Sequence, residues 1–221
     1  MNVRRFITEK TCEGNLPKNP PNSPFNKGGL RGDLENTEWQ QPFRFYPENP
    51  VWDEHKDWVL EIGPGNGKFI TWLAAQHPQK LFVALELRFM RHQGVGQKSD
   101  KAKISNIISV HGDARYCLPH LFKKESLNEI YILFPDPWFK RRHLKNRLIN
   151  PERTELFHSL LKKQGKVFFA TDNHSYAEWV KTSFTEKDWK FEEGQSLYPT
   201  YFETKWKALG RNLHYFVFHK K

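Results

Sequence analysis

Four acids stand in or just after short apolar runs: Glu61 within Val59-Leu60-Glu61-Ile62, Glu86 after Leu81–Leu85, Asp113 after Ile107–Val110, and Asp136 after Glu129–Phe134. A carboxylate at the end of a buried strand can accept hydrogen bonds from ribose hydroxyls or face a cation, because open parallel sheets bind ligands beyond the carboxyl ends of their strands. The first acid is followed by Gly63-Pro64-Gly65-Asn66-Gly67. Glycines there let the backbone turn sharply and approach a ligand closely, and the helix start that follows offers unbonded amides. The spacing is GxGxG rather than the GxGxxG of dinucleotide binders, which argues against a nicotinamide cofactor. Asp113 has a plain alternative role, capping the helix that starts near Ala114.

The most specific stretch is Phe134-Pro135-Asp136-Pro137-Trp138-Phe139-Lys140-Arg141-Arg142-His143. Two prolines restrict the backbone around Asp136 and fix where its carboxylate points. Five formal positive charges follow (Lys140, Arg141, Arg142, Lys145 and Arg147), with no acid until Glu152. Such a run beside a constrained aspartate suits phosphate contacts next to a reaction centre. The whole chain carries 35 Lys and Arg against 25 Asp and Glu, a net charge of +10, which favours a polyanionic partner. Arg4 and Arg5 are further candidates for phosphate contact.

These residues need a frame, and the pattern supplies one. Trp58–Ile62, Leu81–Leu85, Ile107–Val110, Glu129–Phe134 and Lys166–Ala170 read as buried strands. Amphipathic segments over Lys68–His77, Arg88–Gln97, Ala114–Phe122 and Pro151–Lys163 read as the helices between them. The last is well marked, with Asn150 to cap it, Pro151 at its first position and Gly165 past its end. Alternation of this kind implies an α/β fold with parallel pairing and right-handed crossovers. Two further strand-like pieces, Lys190–Glu192 and Leu213–Phe218, close the chain.

Residues 16–32 hold Pro17, Pro20, Pro21, Pro24, Gly28, Gly29 and Gly32 and few apolar groups, so 1–50 are expected to form a partly disordered or irregular arm and 51–221 a single domain. Two cysteines, Cys12 and Cys117, without CxxC clustering predict neither a disulfide framework nor a metal site. No apolar run is long enough for a membrane span and the N-terminus lacks a signal core, so the expectation is a cytoplasmic protein, away from membranes, as a monomer or homodimer. Trp52, Trp179 and Trp189 are expected in the core.

The glycine turn with its four acids resembles the Rossmann-like class I methyltransferases. That resemblance implies a mostly parallel central sheet with one antiparallel C-terminal strand and helices on both faces. It implies S-adenosylmethionine held by Glu61, Gly63, Gly65, Glu86, Asp113 and Asp136, with Glu61 near the amino acid moiety, Glu86 on the ribose and Asp113 near adenine. The stretch from Phe134 to His143 is similar to the F-P-D-P-W-x-K-x-R-H signature of the tRNA (guanine-N7-)-methyltransferase family, with every fixed position present. Phe169-Ala170-Thr171-Asp172 with Tyr176 resembles that family's A-T-D…Y segment, and Thr204-Lys205-Trp206 with Gly210 its T-K-F/W-E…G segment.

The family resemblance implies methyl transfer to N7 of a guanosine in the variable loop of tRNA. In that reading Asp136 is catalytic and Lys140, Asp172, Thr204 and Lys205 bind the substrate. The phosphate contacts are Arg141, Arg142, Lys145 and Arg147. One position departs: Lys207 stands where the family carries a Glu that helps hold the guanine, and Glu203 is the nearby acid that could replace it. Competing readings are a class I methyltransferase for another RNA or a small molecule, and a catalytically weak RNA-binding homologue, for which Lys207 is the best support.

Overall fold

Runs of apolar residues with no polar face make strands that must be covered on both sides, and the chain provides helices to do so. The computed structural model describes residues 43–47, 53, 56–185 and 187–221. The proposed arm at 16–32, Arg4, Arg5, Cys12 and Trp52 lie outside them. Eight strands form one sheet: β1 (Arg44–Tyr46), β2 (Trp58–Ile62), β3 (Leu81–Glu86), β4 (Ile107–His111), β5 (Leu127–Leu133), β6 (Leu161–Thr171), β7 (Trp189–Glu193) and β8 (His214–Lys220). Among the described residues six helices accompany them: α1 (Lys68–Gln76), α2 (Phe89–Lys101), α3 (Ala114–Leu121), α4 (Pro151–Leu160), α5 (His174–Ser183) and α6 (Tyr201–Ala208). A 3-10 segment spans Arg141–Asn146.

The strand order is β1-β4-β3-β2-β5-β6-β8-β7. Strands β2 to β6 pair in parallel, while β8 runs antiparallel to both β6 and β7. This is the α/β fold expected, with β8 as the reversed C-terminal strand. From β2 the chain moves outward to β3 and β4, then returns to place β5 on the other side of β2. That reversal makes the carboxyl end of β2 the crevice where a ligand fits. Strands β2, β3 and β4 are buried at every residue. Phe69, Ile70 and Leu73 of α1 pack on one face, together with Val95 of α2.

Several elements differ from the sequence expectation. Strand β1 pairs antiparallel with β4, and the compact unit starts at Phe43, so residues 44–46 belong to the sheet although the expected domain began at 51. Helix α4 starts as expected, with the Asn150 side chain accepting from the Arg153 amide at 2.8 Å, but ends at Leu160. The fully buried Leu161 enters β6 at once, opposite Leu127. Helices α5 and α6 carry clear caps: Asn173 accepts from the Tyr176 amide and Thr200 from the Glu203 amide. Cys117 and Trp189 are buried, while Trp179 is half-buried with its indole N–H donating to Ile149 O at 2.7 Å. Among the described residues no group of His, Cys, Asp and Glu could hold a metal ion, and no helix is long and apolar enough to cross a membrane.

Beneath β1 lies a buried histidine pair. His92 Nδ1 sits 2.8 Å from Ser109 Oγ, and the His92 and His111 rings are 5.8 Å apart. Burial above all, and then His111 and Arg44, push His92 down to about 4. A base held neutral in the fold adds stability that is present above pH 6.5 and is lost as pH falls towards 4. Denaturant unfolding across that window is therefore expected to lose stability less steeply in His92→Gln than in the parent. Equal slopes would place the acid sensitivity elsewhere.

Candidate active site

The turn after β2 is built for close approach. Gly63, Gly65 and Gly67 have φ of 75°, 57° and 71°, in the region that favours glycine. A methyl group on Gly63 or Gly65 would meet nothing within 4 Å, so both face open space, whereas on Gly67 it would come within 2.9 Å of Val95 Cγ2. The turn is tied to β3 through Glu86, whose carboxylate accepts from the Gly65 amide at 3.2 Å and the Arg88 amide at 2.9 Å. Each of these oxygens keeps a lone pair that a ribose hydroxyl could use.

Glu61 is the more telling acid. It is buried, and its Oε2 has no hydrogen-bond partner. Burial first, and then the neighbouring Glu86, raise it to about 8. An unpartnered buried carboxyl beside an open glycine cradle is a costly arrangement unless a ligand completes it. A cation that also carries sugar hydroxyls fits both features, and S-adenosylmethionine offers an ammonium group and a ribose.

Asp113 caps α3, accepting from the Arg115 amide at 2.9 Å, and its oxygens also take the Arg115 guanidinium. The capping alternative is thus realised, and a contact with adenine would have to share these oxygens.

Beyond β5 the backbone is held in an unusual shape. Phe134 and Trp138 have φ of 54° and 47°, conformations that non-glycine residues adopt at a cost of about 1–3 kcal/mol each. The loop stays in place because the Phe134 amide donates to Ala170 O at 2.8 Å and Arg147 Nε donates to Pro137 O at 2.9 Å. The result presents Asp136 to solvent, with no hydrogen bond to its carboxylate among the described residues. Lys140, Arg141, Arg142 and Lys145 are exposed beside it. Arg147 differs from the other four cations of the run, which are exposed. It is 4% exposed, and its guanidinium lies 4.7 Å over the Tyr176 ring and 5.3 Å from that of Trp179, so it props the loop from below.

Asp172, at the end of β6, joins this edge through the C-terminal motif. Its carboxylate pairs with Arg211, whose guanidinium lies 3.9 Å over the Trp206 ring. Thr204 and Lys205 are exposed on α6, with Lys205 Nζ 4.7 Å over Trp206. Glu203 is buried, and Lys207 reaches back one helical turn to donate to its Oε1 at 2.6 Å. Glu203 lies on the wall of a cavity of about 340 Å³ that also meets Leu133, Phe134, Ala170, Tyr198 and Tyr215. Burial and the Glu203 carboxylate raise the Tyr215 phenol. Glu203 was a secondary candidate in the sequence. The signal that marks it is the capping pair Thr200…Glu203, which puts its amide on the Thr200 hydroxyl and its side chain on the inner face of α6.

Known proteins resemble this chain in sequence and fold. The family model described as "Putative methyltransferase" matches residues 55–216. The tRNA (guanine-N(7)-)-methyltransferase of Clostridioides difficile is 32% identical over 165 residues, covering 75% of this chain and 73% of that protein. The chain belongs to the tRNA (guanine-N7-)-methyltransferase family. The Aquifex aeolicus member is 34% identical over 73% of this chain, and the chain spans only 56% of that protein's length. Among solved structures, the 16S rRNA methyltransferase KamB shares the fold with a TM-score of 0.56 at 19% identity, over 76% of this chain and 88% of that one. Membership accounts for the order of the three motifs along the chain.

Proposed function

We propose that the chain transfers a methyl group from S-adenosylmethionine to N7 of a guanosine in the variable loop of tRNA. The observation that carries this reading is the grouping on one edge of the sheet of an unpartnered buried Glu61, an open glycine cradle, an exposed Asp136 and a row of exposed cations. Glu61, Gly63, Gly65, Glu86 and Asp113 surround the cofactor position, which supplies an electrophilic methyl on a sulfonium centre. Guanine N7 has a free lone pair, so the chain needs no base to remove a proton. Methylation leaves positive charge on the purine, and Asp136 opposes that charge as it grows. Asp172 and Lys140 hold the nucleotide, and orientation supplies much of the acceleration.

Glu203 replaces the missing family carboxylate as acceptor for the guanine N1–H and amino group, with Lys207 holding it in place. In this account Glu203→Gln raises KM for tRNA about tenfold or more, and Lys207→Glu, which puts a second carboxylate one turn from the first, does not improve turnover. A gain in turnover for Lys207→Glu would show that Glu203 does not fill the role.

N7 faces the deep groove of an RNA helix, which side chains do not read, so a loop guanosine that can swing out is the accessible target. The exposed Lys140, Arg141, Arg142 and Lys145 meet phosphates around it. Four such contacts predict that log affinity for tRNA falls with log salt with a slope of about −3 to −4. Fluorescence anisotropy between low and moderate salt tests this, and a flat response would argue against the RNA reading. In parallel, S-adenosylmethionine is expected to raise the melting temperature where NAD does not.

A further inference from the structure

A second cavity, of about 440 Å³, lies between the basic 3-10 segment and α5. It opens beside the reaction edge, since Phe139 on its wall follows the Asp136 loop and Asn173 follows Asp172. Of its lining residues the proposed chemistry uses only Arg141. Arg147 lines it and is 4% exposed. Its Nε is taken by Pro137 O, but its two terminal nitrogens have no hydrogen-bond partner among the described residues. A guanidinium fixed by Pro137 O and by the Tyr176 and Trp179 rings, with terminal donors left for the cavity, is a pre-set seat for an anion. The ten-residue helix α5 begins at the same wall, where Ser175 lies in its first turn, and the opening amides of a helix lack intrahelical acceptors and favour negative charge.

Two aromatic rings border the same space. Phe139 is 71% exposed, with no core to justify a phenylalanine there, and Trp179 is fixed by its bond to Ile149 O. Glu178, 3.6 Å from Lys181, is the one carboxylate among the lining residues. Cations, stacking faces and an acceptor together suit a nucleotide better than a bare phosphate.

We propose that this cavity seats a second nucleotide of the RNA, separate from the target guanosine. Its phosphate lies against Arg147, Arg141 and the start of α5, and its base stacks on Phe139 or Trp179. The inference rests on reading the chain as an RNA-modifying enzyme. The site fixes the register of the RNA, and so which base reaches Asp136.

Binding of fluorescent unmodified tRNA to Ser175→Glu, Phe139→Ala and Gln79→Glu tests it, with methyl transfer followed separately. Glutamate at the start of α5 favours the helix, so Ser175→Glu leaves the fold intact while repelling a phosphate. Gln79, exposed in the turn before β3, carries the same charge change away from the cavity. The expected result is an affinity about tenfold weaker for Ser175→Glu and about fivefold weaker for Phe139→Ala, with Gln79→Glu close to the parent and the melting shift given by S-adenosylmethionine unchanged in all three. Equal affinities for Ser175→Glu and Gln79→Glu would overturn the inference, whether or not methyl transfer occurs. Absence of transfer with a selective loss of affinity would instead overturn the methyltransferase reading and keep the nucleotide site.

Discussion

Glu61→Gln is expected to raise the melting temperature of the ligand-free protein at pH 8 and to abolish the further rise produced by S-adenosylmethionine. The buried Glu61 carboxyl is raised to about 8, chiefly by burial and then by Glu86. A carboxyl whose folded pKa lies above its unfolded value of 4.5 adds stability that is complete below pH 4.5 and lost as pH climbs through 8. The ligand-free protein therefore weakens across that window. Glutamine keeps the shape without the charge and recovers on the order of 2–4 kcal/mol at pH 8. The opposite holds for the cofactor, because a buried carboxylate facing an ammonium is expensive to lose. Removing one partner of such a pair costs about 3–5 kcal/mol, or at least a hundredfold in affinity. Differential scanning fluorimetry across pH 5–8, with and without cofactor, separates the two effects. A variant that loses stability at pH 8 and still responds to the cofactor would show that Glu61 belongs to the fold rather than to the site.

Asp136→Asn is expected to lower the rate of methyl transfer about a hundredfold or more while leaving stability and tRNA affinity near those of the parent. Asp136 is exposed and accepts no hydrogen bond among the described residues, so the fold gains little from it. Yet the loop that carries it is held with Phe134 and Trp138 at positive φ, and Arg147 is buried to anchor it. Strain of this kind persists where the surroundings over-determine a conformation, and it collects at sites that need one. A carboxylate set opposite charge that appears in the transition state acts on kcat, and comparable electrostatic groups contribute about 10²–10³ in rate. Single-turnover kinetics at saturating cofactor reads this directly. Near-parental turnover, or a loss confined to KM, would remove Asp136 from the catalytic role.

Much of the frame was legible because the parallel strands are buried on both faces. Trp58–Ile62 and Ile107–Val110 show in sequence as short, mostly apolar runs, broken only by Glu61 and Ser109, and occur as strands within one residue of where those runs end. Strand β1 was not legible. Arg44-Phe45-Tyr46 is three residues long and only partly buried, and its place comes from pairing with β4. Helix α5 hid because its polar residues obscure a narrow buried stripe of Tyr176, Ala177 and Val180. The acids of the cofactor edge could be found from their positions at strand ends. What each does there could not, since the capping by Asp113 and the missing partner of Glu61 depend on neighbours brought in by the fold. Arg147 shows the limit most clearly. In sequence it is one cation among five, and only packing against Tyr176 and Trp179 sets it apart.

The central claim is most directly tested by incubating the protein with unmodified tRNA and S-adenosylmethionine labelled in the methyl group, then digesting the RNA and identifying the labelled nucleoside. The account predicts 7-methylguanosine, lost when the variable-loop guanosine is replaced. Label in another nucleoside, or none despite a clear thermal shift with the cofactor, would contradict it.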